Sequence, residues 1–157
     1  MSHPLRLEFA RLLLNSHALL LGEPLADPAL SLPEATRWLY EDAPFCVLAH
    51  SDELDPRFIY ANLAAQHCFA YDWNEFIGMP SRLSAQPGER AERLEMLRQV
   101  EQAGFTRGYR GLRVDKHGRR FWIEDGRLWN LLDDNGVVQG QAVVFRPGNS
   151  ETNPTLA

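Results

Sequence analysis

The sequence predicts an α+β fold, an antiparallel sheet covered by helices, and the last third of the chain supplies the main observations. Two turn sequences, at 116–119 (Lys-His-Gly-Arg) and 133–136 (Asp-Asp-Asn-Gly), separate three apolar runs. His-Gly and Asn-Gly pairs tolerate the positive φ angles that tight hairpins need. The runs are rich in Val, Ile, Phe, Trp and Tyr, which are typical of strands. They therefore predict a meander of strands at 105–114, 121–132 and 137–145.

Two helices are predicted ahead of the sheet. Leucines at helical spacing in residues 4–21 share one side of a helix that ends at Gly22. Ser31 and Glu34 have capping-box spacing, which predicts a second, shorter helix. The two helices form an N-terminal helical extension at 1–42. Its expected role is to cover an exposed face of the sheet, within one chain or across a dimer.

Two further strands and a short helix follow this extension. The strands are predicted at 45–49 and 57–61, and a polar loop joins them. Asn62 then opens a helix that runs to Phe69, because asparagine is a favoured N-cap residue. Together with the meander, these runs bring the predicted strands to five.

Two more helices are predicted between Phe69 and the meander. Asp72 and Glu75 repeat the capping-box spacing, which indicates a short helix ending at Gly78. A Pro- and Ser-rich connector at 80–87 leads to the longest helix of the core, at 89–103. The apolar face of that helix would carry Leu94, Leu97 and Val100.

The composition indicates one globular domain and argues against a nucleic-acid-binding surface. The chain has 157 residues and is 45% hydrophobic, which is enough for a single core. Its net charge of −5 is unfavourable for contacts with a phosphate backbone. Basic residues near the first hairpin turn are expected to form a solvated sheet edge. They are Arg107, Arg110, Arg113, Lys116, Arg119 and Arg120.

The sequence predicts a cytoplasmic location without membrane attachment. The uninterrupted apolar runs, such as those at 18–21 and 45–49, are far too short to cross a bilayer, and no export signal is visible. The two cysteines, Cys46 and Cys68, are too few to staple a domain that can bury a core. They are expected to be free thiols.

The order of these elements, together with six sequence segments, resembles a known sensor family. The segments are 45–50 (Phe-Cys-Val-Leu-Ala-His), 58–62 (Phe-Ile-Tyr-Ala-Asn), 73–76 (Trp-Asn-Glu-Phe), 80–85 (Pro-Ser-Arg-Leu-Ser-Ala), 118–121 (Gly-Arg-Arg-Phe) and 137–142 (Val-Val-Gln-Gly-Gln-Ala). They resemble the MEKHLA group of PAS-like domains over about residues 40–146. The resemblance implies a PAS-like fold at 43–146, a five-stranded antiparallel sheet with short helices on one face around a small cavity. Residues 147–157, which are small and polar, are expected to form a disordered tail.

The chain is also similar to light-oxygen-voltage domains, the flavin-binding branch of the PAS family. In that branch a Gly-x-Asn-Cys-Arg motif supplies the thiol that attacks the flavin, and residues 78–82 here have Ser81 in its place. A serine hydroxyl does not replace a thiolate nucleophile. Ile123 and Ala142 stand where the resemblance implies a flavin-bracketing asparagine and glutamine. Bound flavin is therefore disfavoured.

Strand alternation divides the last predicted strand into two faces, and both are partly apolar. Val138, Gly140, Ala142 and Val144 share one face, and Gln139, Gln141, Val143 and Phe145 share the other. One face should lie on the core helices, and the N-terminal helix or a dimer mate should cover the other. Substitution of Val143 and Phe145 by charged residues is expected to distinguish the two kinds of cover. A protein that stays folded but becomes monomeric would indicate a dimer mate, and one that unfolds would indicate the N-terminal helix.

A ligand cavity inside the sheet and helices is predicted, with plain packing as the open alternative. Arg82 would hold a carboxylate or phosphate, or lie at the surface. The residues at 125–127 (Asp-Gly-Arg) indicate a bulge that re-aims the strand. The candidate lining residues are Cys68, Phe76, Ser81, Arg82, Leu83, Tyr109, Leu112, Phe121, Ile123, Leu128, Asn130 and Ala142.

These observations predict a stand-alone sensor or regulatory module that binds a small, mostly apolar molecule. Because no room remains for an attached output domain, signalling is expected through a homodimer or a separate effector protein. The alternative is a dimerisation or interaction module whose own side chains fill the cavity.

An enzyme is not predicted, because no nucleophile-base grouping or metal-ligand spacing occurs. A small enzyme using His50 and Asp52 as acid and base is the least supported hypothesis. Haem or a metal bound through His67 and Cys68 is disfavoured against a half-buried helical histidine.

Overall fold

The five predicted strands form one antiparallel sheet, which confirms the α+β class. The computed structural model describes residues 3–84 and 90–146. The sheet has the strand order β2-β1-β5-β4-β3, so the last strand pairs with the first at the centre. The strands are β1 (Cys46–Ser51), β2 (Phe58–Ala61), β3 (Phe105–Val114), β4 (Arg120–Leu132) and β5 (Val138–Phe145).

The helices begin where the capping signals predict. The side chains and backbone N–H groups of Ser31 and Glu34 cap each other, and Asp72 and Glu75 do the same. The helices are α1 (Leu7–Leu21), α2 (Leu32–Glu41), α3 (Leu63–Phe69), α4 (Trp73–Phe76) and α5 (Arg90–Ala103), with a 3₁₀ turn at Ser81–Ser84. Within the described residues, no helix has the length and hydropathy to span a membrane.

Each face of the sheet packs on a different set of helices. We name the core residues between the sheet and α3, α4 and α5 the inner cluster. It includes Cys46, Leu48, Phe58, Phe69, Phe76, Val100, Tyr109, Phe121, Ile123, Leu128 and Phe145. We name the set under α1 and α2 the outer cluster, which includes Leu13, Leu39, Val47, Ala49, Trp129, Leu131, Ala142 and Val144. The N-terminal helices therefore cover the outer face within the same chain.

The two faces of β5 are assigned opposite to the sequence-based expectation. Ala142 and Val144 lie in the outer cluster, whereas Phe145 belongs to the inner cluster and Val143 packs against it. Alternation along a strand fixes which residues share a face, but it does not say which face meets which helix. Charged residues at Val143 and Phe145 would therefore disrupt the interior and would not report on a dimer interface.

Two further expectations are wrong, and one group of predictions lies outside the described residues. Leu94 on α5 is 57% exposed, since the described contacts of this helix with the sheet come at its far end, around the fully buried Val100. Arg113, expected at a solvated edge, is only 6% exposed. Residues 85–89 of the predicted connector and the predicted tail at 147–157 lie outside the described part, as does the Leu97 side chain.

Helix α1 is fixed on the sheet by a buried histidine. His17 is fully buried, its Nδ1 lies 2.9 Å from the Glu23 carbonyl oxygen, and its ring meets the Trp129 ring edge-on at 4.8 Å. Burial lowers the pKa of His17, and the charges of Arg127 and Arg107 lower it further, against the opposing effect of Glu23. The folded protein therefore favours the neutral imidazole.

Acid is expected to weaken this contact of α1. Because the folded-state pKa of His17 lies below the ordinary 6.5, stability is lost as the pH falls from 6.5 toward the folded-state pKa. The free energy of unfolding, measured with urea, should fall by up to about 1.4 kcal/mol per pH unit in this window. His17→Phe keeps an aromatic ring and should flatten the slope. An unchanged slope in that variant would contradict the assignment.

Candidate functional site

A small cavity lies on the inner face, and all five strands contribute to it. Its lining combines apolar side chains with a few polar ones: Leu48, Ala49, His50, Phe58, Ser84, Tyr109, Arg113, Ile123, Leu128, Gln141, Ala142 and Val143. The space open to the centre of a water-sized molecule is about 30 Å³. All the empty space between the lining atoms, including the part open to solvent, is about 480 Å³. Such mixed, concave linings are typical of small-molecule sites.

The predicted bulge at 125–127 is present and shapes the cavity. Gly111 pairs with Ile123 and Tyr109 pairs with Gly126, so between these two pairs β4 contains one more residue than β3. Ile123 and Leu128 are an odd number of positions apart, and regular alternation would place them on opposite faces. The extra residue restores Leu128 to the inner face, where it joins Ile123 in the lining.

A buried tyrosine-arginine pair on β3 supplies the most polar part of the wall. Tyr109 and Arg113 are 3% and 6% exposed, and Arg113 Nη2 donates to the Tyr109 hydroxyl. Arg113 Nη1 also donates to the Leu112 carbonyl oxygen at 3.1 Å. Gly111 lies between them, and a Cβ at this position would overlap the Tyr109 hydroxyl and lie 3.1 Å from Arg113 Nη1. The glycine therefore leaves room for the two side chains to meet.

Gln141 connects the cavity wall to α5. Its Nε2 donates to Asn130 Oδ1 at 3.1 Å, and Asn130 Nδ2 donates to the Val100 carbonyl oxygen at 3.2 Å. The backbone N–H of Asn130 donates to the Gly104 carbonyl oxygen at 2.8 Å. A change at Gln141 would therefore reach the end of α5 through hydrogen bonds.

Some of the predicted lining residues meet at this cavity. They are Tyr109, Ile123, Leu128 and Ala142. Ala142 contributes beside Gln141 and Val143, while its side chain packs in the outer cluster. Phe76 and Phe121 are inner-cluster core residues, and Asn130 acts through Gln141. Leu112 pairs with Trp122, so it lies on the outer face.

Three predicted residues belong to the 3₁₀ turn and do not line the cavity. Ser81 is fully buried, whereas Leu83 is 43% exposed. Arg82 Nε lies 3.1 Å from Asp55 Oδ1 in a pair whose side chains are both about half exposed. Arg82 therefore has the surface role that the sequence left as an alternative. The lining residue of this turn is Ser84.

The arrangement does not fit a flavin. On β5 the amide-bearing residue of the cavity wall is Gln141, whereas the Ala142 side chain packs in the outer cluster. Even with Gln141 at the wall, Ile123 offers a flavin ring no hydrogen bond, and Ser81 offers no thiol. With about 30 Å³ open to the centre of a water-sized molecule, the cavity is far too small for a flavin ring system.

Cys46 and Cys68 are both free, as expected, and they lie next to each other. Cys46 is fully buried on β1, and Cys68 on α3 packs against the inner cluster. The hydrogen bond between the thiols, together with burial, raises the pKa of Cys46, and the same bond lowers the pKa of Cys68. Cys68 is not among the residues that line the cavity.

Several lining residues were not predicted from the sequence. They are Leu48, Ala49, His50, Phe58, Ser84, Arg113, Gln141 and Val143. The available signal was strand alternation, which places Arg113 on the same face as Tyr109 and Gln141 on the same face as Val143. Among the described side chains, no group of three or more His, Cys, Asp or Glu residues could hold a metal ion.

Comparisons with known proteins place the chain in a family. The sequence profile of the MEKHLA domain matches residues 7–147, which includes α1 and α2. No curated protein sequence matches the chain. A light-oxygen-voltage domain solved in work on a flavin analogue is 19% identical, with a TM-score of 0.58 over 71% of this chain and 83% of that chain.

Two further solved structures share the fold. The PAS domain of a protein from Colwellia psychrerythraea is 21% identical, with a TM-score of 0.60 over 69% of this chain and 90% of that chain. An RNA-binding light-oxygen-voltage receptor is 17% identical, with a TM-score of 0.67 over 85% of this chain but 38% of that longer chain. At these identities the structures establish the fold alone. The chain belongs to the MEKHLA domain family and has a PAS-like fold.

Proposed function

We propose that this chain is a sensory regulatory module that holds a small, largely apolar molecule in its interior cavity. The cavity on the inner face carries this proposal, because apolar side chains from several strands converge there with a few polar groups. Leu48, Phe58, Ile123, Leu128 and Val143 would contact the apolar body of the molecule.

Binding would be sensed on the other side of the sheet. Leu128 lines the cavity, and its neighbour Trp129 packs under α1 against His17. Gln141 and Ala142 form a second such pair on β5. A displacement of β4 by a ligand would therefore shift the surface on which α1 packs. The resulting movement of α1 could be recognised by a second copy of the chain or by an effector protein.

The proposed setting is the cytoplasm, without a nucleic-acid partner. The two thiols are free, which suits a reducing compartment. Basic residues around β3 and β4 are largely neutralised by acids, as in the pairs Arg107–Glu23, Arg110–Glu124 and Lys116–Glu75. Paired charges of this kind make a poor surface for phosphate contacts.

A second candidate function is an interaction module that binds no small molecule. The small size of the cavity, about 30 Å³ of space open to the centre of a water-sized molecule, favours it. In that case the cavity would be a packing defect, and the PAS-like fold would serve only to present α1 and its surroundings.

Native mass spectrometry of the protein purified from cells, combined with thermal-shift screening of small molecules, separates the two candidates. The sensor proposal expects an added mass of a small molecule, or a compound that raises Tm by several degrees through preferential binding to the folded state. An empty protein that no compound stabilises would favour the interaction module.

A further inference from the structure

We propose that the ligand is a small organic carboxylate whose anionic group is bound by Arg113. This inference rests on the proposed ligand-binding function and adds the chemical class of the ligand. The central observation is a buried guanidinium at the cavity wall that pairs with no acidic side chain among the described residues. Arg113 is 6% exposed, lines the cavity, and forms no ion pair with any carboxylate among the side chains that the structure describes.

The local contacts of Arg113 orient it without neutralising it. Its hydrogen bonds go to the Leu112 carbonyl oxygen and the Tyr109 hydroxyl, and its Cζ lies 5.3 Å from the centre of the Tyr109 ring. A guanidinium carries more N–H donors than these two acceptors use. It also stays protonated under physiological conditions, so it cannot avoid the cost of burial by losing its charge.

A buried charge without a counter-charge is costly, and a bound anion would offset that cost. The contrast with the neighbouring bases is clear. Arg119 pairs with Asp115 at 3.2 Å and Arg127 pairs with Glu23 at 2.7 Å, whereas the one deeply buried arginine of this region has only neutral partners among the described side chains.

The rest of the wall selects a carboxylate with an apolar body. Within the described lining, Arg113 is accompanied by no lysine or second arginine, so a dianionic phosphate would lack a second cation. A planar carboxylate matches the two parallel N–H groups of one guanidinium. Besides Arg113, the wall presents Leu48, Ile123 and Leu128, which suit a short hydrocarbon or ring.

Gly111 supports this arrangement by its position. Because a Cβ there would overlap the Tyr109 hydroxyl, only glycine allows Tyr109 to lean over it and hold Arg113 at the wall. The tyrosine therefore acts as a positioning residue that orients the guanidinium, and the glycine leaves the space that the Tyr109 hydroxyl occupies.

The test compares benzoate with benzamide, which have nearly the same size and shape but differ in charge. Dissociation constants measured by isothermal titration calorimetry should favour benzoate by about tenfold or more, as expected for a charge-assisted hydrogen bond. Arg113→Gln should remove this preference. Arg110→Gln, on the same strand, should retain it, because Arg110 is exposed over Trp122 on the outer face.

Equal affinity of the unsubstituted protein for benzoate and benzamide would overturn the carboxylate assignment and leave the ligand-binding proposal standing. This comparison needs no substitution, so it decides the point even if Arg113→Gln fails to fold. A benzoate preference that survives in Arg113→Gln would also overturn the role of this residue. Binding of neither compound, by a protein that native mass spectrometry finds empty, would remove the proposed function together with the inference.

Discussion

Gly140→Ala is expected to destabilise the protein by about 3 kcal/mol or more, through a clash that neither neighbouring strand can relieve. Gly140 lies in β5 between His50–Ser51 of β1 and Leu131 of β4. A Cβ at this position would overlap the His50 carbonyl oxygen and lie 3.6 Å from Leu131 Cδ1. Since the obstructing atom belongs to the backbone, the central β1–β5 pairing would have to move.

Thermal unfolding followed by circular dichroism checks this prediction, with a decrease in Tm of about 10 °C expected for a chain of this size. Gly22→Ala is the matched control. Gly22 ends α1 with a φ of +75°, and a Cβ added there would have no other atom within 4 Å, so alanine costs only backbone strain, about 1 kcal/mol. Equal losses for the two variants would show that steric overlap at Gly140 is not the cause.

Asn62→Ala should have an effect of similar size, because this one side chain joins three elements. Asn62 is fully buried, and its Oδ1 accepts from the Val47 and Ala65 N–H groups, each at 3.0 Å. Its Nδ2 donates to the Leu39 and Phe45 carbonyl oxygens, also at 3.0 Å. Alanine would remove the cap of α3 and leave buried groups of α2 and β1 unpaired, a loss of about 3 kcal/mol or more.

Urea unfolding measures this loss, and Asp72→Ala separates the cap from the buried network. Asp72 caps α4 in the same way but is exposed, so its removal should cost only about 1 kcal/mol. If Asn62→Ala cost no more than Asp72→Ala, the hydrogen bonds to α2 and β1 would contribute nothing measurable, contrary to this prediction.

Local signals in the sequence were sufficient for the secondary structure. The reciprocal caps at Ser31–Glu34 and Asp72–Glu75 form as predicted, and the hairpin glycines Gly118 and Gly136 have φ angles of 84° and 79°. These features depend on residues within a few positions of one another. The order of elements then led to the correct fold class.

The cavity wall was harder to predict, because it depends on contacts between distant segments. Arg113 belongs to a run of basic residues beside a turn, a pattern typical of a solvated edge. Its burial follows because strand alternation places it on the same face as Tyr109, and because it pairs opposite Phe121, an inner-cluster residue. The reversed assignment of the two faces of β5 has the same origin, since the sequence of a strand does not reveal which of its faces meets the cavity.

Methyl-resolved NMR tests the central claim, that a small ligand binds on the inner face of the sheet. The protein is labelled at Ile, Leu and Val methyl groups and titrated with benzoate. Binding at the cavity predicts shifts at Leu48, Ile123, Leu128 and Val143, with smaller changes at the outer-cluster residues Leu13, Leu39 and Leu131. Shifts centred on the outer cluster, or no cavity shift at a benzoate concentration that calorimetry shows to be saturating, would contradict it.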